Sequence, residues 1–153
     1  GTGTTSGSQN VPVKNSSIKW VSKVIDSFSI TSTSYYYQTP WLVAHDNEED
    51  WKNKVNGTIY ACGASYASKN LYGVATGLVH SSWNPIPMPW GYQGQVRDIC
   101  NAGYGQSSTW ECAYMVLMMD GTLWGTGYNG NYTHGLSDTN TNWTLRRKTL
   151  IGG

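Results

Sequence analysis

The sequence is short of charge, and this shortage excludes two classes of protein. Charged residues make up 12% of the 153 residues, and the formal net charge is +1. Phosphate contacts need clustered cations, and the one basic run is Arg146-Arg147-Lys148, so nucleic-acid binding is not expected. No apolar run reaches the roughly 18 residues that a membrane span needs, so the chain is not expected to be membrane-embedded.

Cysteine is also scarce. Cys62, Cys100 and Cys112 cannot all pair with one another, and none has the close spacing of a zinc site. Cys62 and Cys100 fall in predicted strands, where we expect small buried apolar residues. The chain is therefore not a disulfide scaffold, and we expect neither a metal nor a cofactor.

Catalytic patterns are missing as well. His45, His80 and His134 are far apart, and no Gly-X-Ser-X-Gly motif supplies a nucleophile. The one acidic cluster, residues 45–50, offers oxygen ligands for Ca²⁺, but it has neither the spacing nor the glycine of a calcium loop. We expect it to be a solvated extension of a hairpin, and we predict no active site and no enzyme activity.

Turn signals between apolar runs are abundant. Asp120-Gly121 is a strong hairpin signal, because a tight turn between strands requires positive φ. The apolar run 114–119 precedes it, and Leu123-Trp124 begins a second strand that ends at glycines. Since no segment has a clear helical period and there are eight Trp and eleven Tyr, the sequence predicts an all-β protein.

This hairpin occurs twice. Residues 56–63 align with residues 120–127 at a separation of 64, and Val21–Ile25 resembles Val96–Cys100 as an opening strand at a separation of 75. Ser82-Trp83-Asn84 is matched to Thr141-Asn142-Trp143. The first copy therefore carries about 11 extra residues, between Asp46 and Gly57, as expected for a surface loop on a repeated unit.

The repeated pattern resembles the repeat of the regulator of chromosome condensation family. The match is strongest over residues 121–131, close to bacterial and phage variants, and extends over roughly residues 20 to 148. His134-Gly135-Leu136 departs from the family's usual Gln-Leu-Gly. The resemblance implies that each repeat is one blade of a β-propeller, and it is carried over to the blade alone, not to the family's nucleotide-exchange or chromatin activity.

Two blades cannot close a ring, because propellers typically have about four to eight. We therefore expect either a piece of a longer propeller or a homo-oligomer, in which a dimer, trimer or tetramer would have four, six or eight blades. Residues 1–17 are predicted to be a flexible lead-in, and 18–153 a single domain made of repeats 18–89 and 90–148 with a C-terminal strap. The first strand is placed within 18–30, and 83–91 is expected to be an extended linker.

The composition, rich in Gly, Ser, Thr, Asn, Tyr and Trp, resembles the tips of phage tail fibres. Such fibres are trimers, so the resemblance implies a homotrimer with six blades. It predicts a non-enzymatic adhesin in the virion, at the distal end of the fibre, that binds a bacterial surface glycan or outer-membrane protein. Two alternatives stay open: a tail-spike-like glycan depolymerase, and a bacterial propeller scaffold for protein partners.

The predicted receptor face combines aromatic residues with small hydroxyl residues, as recognition loops do. In a four-stranded blade, the loop between strands one and two shares an end with the loop between strands three and four. This places the loops 31–39, 64–73, 103–111 and 128–135 at one end and the acidic extension at the other. The predicted receptor-binding residues are Tyr35, Tyr36, Tyr37, Tyr66, Tyr72, Tyr104, Trp110, Tyr128 and Tyr132.

Overall fold

A computed structural model describes residues 18–25, 30–32, 35–37, 40–64, 79–101, 113–127, 139 and 142–147. The elements are β1 (Val21–Ile25), β2 (Ile30–Ser32), β3 (Tyr35–Tyr37), β4 (Trp41–Ala44), α1 (Glu48–Asn53), β5 (Thr58–Ala64), β6 (Val79–Pro85), β7 (Val96–Asn101), β8 (Ala113–Met118), β9 (Leu123–Gly127) and β10 (Asn142–Arg147).

The predicted all-β class is confirmed, with two antiparallel four-stranded sheets. Sheet 1 has the strand order β1-β4-β5-β6, and sheet 2 has the order β7-β8-β9-β10; all neighbouring strands are antiparallel. Each repeat thus supplies one four-stranded sheet. A third, two-stranded sheet pairs β2 with β3.

The two four-stranded sheets share their register irregularities as well as their order. The first strand pair is interrupted between Val21 and Lys23 in sheet 1, and between Val96 and Asp98 in sheet 2. In the last strand pair the register shifts between Ala61 and Gly63 in sheet 1, and between Gly125 and Gly127 in sheet 2. Gly63 and Gly127 both have positive φ. Equivalent residues can therefore be assigned strand by strand, at separations of 75, 74, 64 and 62.

These separations correct one alignment made from the sequence. Because Gly63 pairs with His80 and Gly127 pairs with Asn142, Trp83 of β6 is equivalent to Leu145 of β10, not to Asn142. The expected match of the fourth strands was wrong by three residues. The pattern of apolar residues in the sequence could not reveal this shift in the strand register.

The first strand, Val21–Ile25, lies within the expected range 18–30, and a further strand begins at Ile30. Three local expectations are corrected. The expected loop 31–39 contains part of the β2–β3 pair. The start of the expected linker, Trp83 to Pro85, belongs to edge strand β6. Proline is tolerated on an edge strand because its nitrogen can face the side that has no neighbouring strand. The acidic extension forms helix α1.

One core lies between the two sheets. Ile59 and Val43 of sheet 1 pack with Ile99 and Val116 of sheet 2, and all are almost completely buried. Trp41 of β4 stacks on Tyr114 of β8, with ring centroids 4.1 Å apart and planes 8° apart.

The backbone also joins the two sheets. The N–H of Gly57 donates to the Val96 carbonyl at 2.8 Å, and the N–H of Val96 donates to the Gly57 carbonyl at 2.9 Å. Val96 also pairs with Met118, so the β4–β5 and β8–β9 turns lie at the same end of the molecule. We call this the turn end, and the opposite end the loop end.

Cysteine burial confirms one expectation and corrects another. Cys62 is buried in β5, as predicted, whereas Cys100 of β7 is exposed. Cys112 lies outside the described residues. No helix in the described part of the chain is long and apolar enough to cross a membrane.

Candidate functional site

The predicted receptor face lies almost entirely outside the described residues. Tyr35, Tyr36 and Tyr37 are described at the level of the backbone and form strand β3. Their strand lies in the connection from β1 to β4, which leaves sheet 1 at the loop end. The other six predicted residues, Tyr66, Tyr72, Tyr104, Trp110, Tyr128 and Tyr132, lie outside the described residues, so the prediction for this face stands untested.

The turn end carries a second aromatic surface that the sequence interpretation did not choose. It is built from the start of β1, helix α1, the connection between β6 and β7, and the β8–β9 turn. We call this surface the turn-end aromatic surface; its members are Trp20, Trp51, Trp90 and Tyr92.

Trp90 is the most exposed of these side chains. It is 96% exposed and lies in the run Pro-Met-Pro-Trp-Gly that follows β6. The Tyr92 N–H donates to the Pro89 carbonyl at 3.0 Å, and the Gln95 N–H donates to the Tyr92 carbonyl at 3.2 Å. Proline fixes φ, so this connection holds an exposed indole on an ordered turn.

Tyr92 fixes the connection to the β8–β9 turn. Its ring lies 5.0 Å from that of Trp124, and its hydroxyl donates to Asp120 Oδ2 at 2.9 Å. Met88 and Tyr92 both pack against the core. The connection that carries Trp90 is therefore anchored on both sides of that residue.

A hydrogen-bond chain explains the motif Asp-Gly-Thr-Leu-Trp. Asp120 Oδ1 accepts from the Thr122 N–H at 2.9 Å and from Thr122 Oγ1 at 2.6 Å, and Thr122 Oγ1 in turn accepts from Trp124 Nε1 at 2.8 Å. The Thr122 hydroxyl is the largest cause that lowers the pKa of Asp120, followed by the Thr122 N–H; Tyr92 and Arg147 contribute in the same direction. Asp120 is thus a turn-closing carboxylate and not a proton donor.

On the other side of the turn end, α1 packs against the start of β1. Trp51 Nε1 donates to the Val21 carbonyl at 2.9 Å, and the Trp51 ring lies 5.7 Å from that of Trp20. Asn47 caps the N-terminus of the helix, and its side chain accepts from the Asp50 N–H at 2.9 Å. Acidic residues in its first turn and Lys52 in its last turn match the helix dipole.

Two carboxylates of the acidic cluster make hydrogen bonds and an ion pair with neighbouring residues. Asp50 accepts hydrogen bonds from the amides of Asn47 and Asn56, and Glu48 pairs with Lys52 at 2.6 Å. Across the described residues, no group of three His, Cys, Asp or Glu side chains could hold a metal ion.

His45 has a structural role. It is buried, its Nδ1–H donates to the Val55 carbonyl at 2.7 Å, and its Nε2 accepts from the Ser22 hydroxyl at 2.7 Å. These bonds join the end of β4 to β1 and to the segment after α1. His80 is described at the level of the backbone, in β6, and His134 lies outside the described residues.

The aromatic pairs at the turn end could be found only in part from the sequence. The Pro-Met-Pro-Trp-Gly run is visible in the sequence, but the sequence alone does not show whether its tryptophan is packed or exposed. Which linker aromatic is packed and which is exposed depends on the neighbouring turn, as the contact of Tyr92 with Asp120 shows.

Comparison with protein-family models, with curated proteins and with solved structures finds no match to this chain.

Proposed function

We propose that this chain is the receptor-binding tip of a phage tail fibre, which binds a bacterial surface glycan or outer-membrane protein without catalysis. The observation that carries the proposal is Trp90, 96% exposed on a turn anchored by Tyr92. Where a protein binds through aromatic residues, the binding energy concentrates in a few anchors, and an exposed indole on an anchored turn can serve as one.

The likeness to propeller repeats of bacterial and phage proteins, read from the sequence, supplies the biological setting. In this setting the chain acts at the distal end of the fibre, as a homotrimer. Indole and phenol rings stack on the apolar faces of sugars or on protein side chains, and Asn, Gln, Ser and Thr orient the bound group. The exposed indole supports this chemistry but does not distinguish a sugar from a protein.

Binding of fluorescently labelled protein to a panel of bacterial strains tests the proposal. We expect saturable binding to at least one strain. Periodate treatment of the cells should abolish binding if the receptor is a glycan, and proteinase treatment should abolish it if the receptor is a protein. A protein that binds no strain in the panel, or that releases reducing ends from surface polysaccharide, would contradict the proposal.

Variants assign the binding face. On a strain that binds, Trp90→Ala should weaken binding about tenfold or more if the turn-end aromatic surface is the anchor, and Trp90→Phe should retain most of it. Tyr36→Ala, Tyr104→Ala and Trp110→Ala test the loop end in parallel. If these three weaken binding and Trp90→Ala does not, the receptor binds at the loop end, as the sequence predicted.

A further inference from the structure

The two sheets pack together through faces that are not equivalent in the two repeats. Sheet 1 contributes one face, which we call the contact face of sheet 1: Ile25, Trp41, Val43, Ile59 and Ala61. Sheet 2 contributes the face that we call the contact face of sheet 2: Val96, Ile99, Tyr114, Val116 and Met118. All ten residues belong to one buried cluster.

The residues of sheet 2 that are equivalent to the contact face of sheet 1 lie on the side of sheet 2 that faces away from the shared core. The register assigns Cys100, Met115, Leu117, Leu123 and Gly125 as the equivalents. They alternate along the strands with residues of the buried cluster, so they lie on the opposite side, the outer face of sheet 2. Met115, Leu117 and Leu123 are partly exposed. A solvent-facing side of an antiparallel sheet is usually polar. Here the three partly exposed central positions are apolar, whereas Asp98, opposite Leu117, and Arg146, opposite Gly125, are charged.

Sheet 1 repeats the contact face of sheet 2 in the same way. The equivalents, which define the outer face of sheet 1, are Val21, Val24, Pro40, Leu42 and Ala44. Leu42 and Ala44 are already buried within the chain, so this part of the outer face is not open to a partner. Val24 of edge strand β1 is 60% exposed, whereas its equivalent Ile99 is 2% exposed in the core. The two outer faces are therefore counterparts of two faces that already pack together.

Charge follows the same repetition. Lys23 and Asp98 occupy equivalent positions in β1 and β7, and they form an ion pair at 3.4 Å across the existing contact. If a second copy continued the stack of sheets, its Lys23 would approach Asp98 of the first copy. If these equivalent positions carried the same charge, they would repel each other at every contact between sheets. Because Lys23 and Asp98 carry opposite charges, they attract instead.

We propose that the outer face of sheet 2 in one copy packs against the exposed part of the outer face of sheet 1 in a second copy, at Val24 of β1, and so repeats part of the contact within the chain. Because the two faces differ, the association is head to tail, and it closes into a ring if the rotation between sheets allows. Propellers of about four to eight blades correspond to two to four copies.

One feature of the existing contact is not repeated. The Val96 backbone pairs with Gly57, but the carbonyl of its equivalent, Val21, accepts from Trp51. Side chains therefore dominate the contact between copies. The inference concerns assembly and does not depend on what the assembled head binds.

Two single variants test the direction of association. Leu117→Asp places a carboxylate on the outer face of sheet 2, and Val24→Asp places one on the outer face of sheet 1. Burying an unpaired carboxylate is costly, so each variant alone should associate about a hundredfold or more weakly and sediment as the 16.9 kDa chain. Leu117→Met and Val24→Ile are matched controls that should keep the oligomer.

Mixing the two variants is the decisive step. Each retains the face that the other has lost, so the mixture should form a one-to-one heterodimer and no larger ring. Leu123→Asp replaces Leu117→Asp if circular dichroism shows that the latter is unfolded.

Three outcomes would overturn the proposal. They are a wild-type monomer at micromolar concentration, an oligomer that only one of the two variants disrupts, and a mixture that stays monomeric. The second would indicate a symmetric contact of one face with itself.

Discussion

Gly57 occupies the point at which the β4–β5 turn meets the first residue of β7. A Cβ at this position would lie 2.5 Å from Val43 Cγ1 and 2.6 Å from the Val96 carbonyl oxygen. The backbone oxygen cannot move aside without breaking the bridge between the sheets. Gly121 is equivalent in sequence but has a different requirement, because its φ is +81° and no atom lies near its Cβ position.

Gly57→Ala should therefore lower the free energy of unfolding by about 1–3 kcal/mol, the usual cost of overpacking. It should also speed hydrogen exchange at the Val96 amide, whose bond to Gly57 must lengthen. Gly121→Ala is the control: it strains only its own turn and should leave the Val96 amide protected. Equal exchange at Val96 in the two variants would show that Gly57 does not set the approach of the sheets.

Asp120 gives the β8–β9 turn a pH dependence. Its pKa is lowered in the folded protein, so the carboxylate contributes stability above its unfolded pKa, and this contribution is lost as the pH falls through the lower folded pKa. Wild type should melt at a higher temperature than Asp120→Asn at neutral pH. The difference should shrink as the pH is taken below the ordinary carboxyl range, and a difference that is constant with pH would contradict this role.

At the scale of elements, the sequence specified the repeated strands well because their signals are local. Asp120-Gly121 and the apolar run before it predicted the β8–β9 hairpin, and the copy at Asn56-Gly57 predicted its counterpart. Helix α1 was missed because its six residues are too few to show a helical period. Its cap, Asn47 followed by Asp50, was present but was interpreted as part of a solvated loop.

The candidate site was less predictable than the strands. The exposure of Trp90 depends on how Tyr92 and Met88 pack, and that packing involves the β8–β9 turn and the core. The tyrosine-rich connection was expected to be a loop, but β2 and β3 pair within it. Composition indicated aromatic recognition without specifying which end of the molecule presents the anchor.

Helix α1 should be held to sheet 1 mainly by Trp51, since its other described contacts lie within the helix and its flanking residues or come from His45 to Val55. Trp51→Ala should raise hydrogen exchange across residues 48–54 and leave the amides of β8 unchanged. Trp90→Ala removes an exposed indole instead and should change neither. Loss of protection in β8 as well would mean that α1 supports the whole molecule.

At the scale of the whole molecule, the two sheets share one buried core, and we expect them to unfold as one cooperative unit. Trp41 and Tyr114 come from different repeats, stack at 4.1 Å and are almost fully buried. Among the described residues the Trp41 Nε1 has no hydrogen-bond partner, so the indole contributes through its ring contacts. Neither repeat can bury its contact face alone, which is the general condition of repeat architectures.

Trp41→Ala should therefore cost about 3–5 kcal/mol and lower the stability of both sheets together. A single unfolding transition should shift to lower denaturant, and amide protection should fall in β8 and β9 as much as in β4 and β5. Val24→Ala, on the outer face of sheet 1, is the comparison: its side chain is largely exposed in the single chain, so it should leave intrachain stability nearly unchanged. If Trp41→Ala unfolded sheet 1 while β8 and β9 kept their protection, each repeat would be a separate folding unit, and the contact between the sheets would be an interface and not a core.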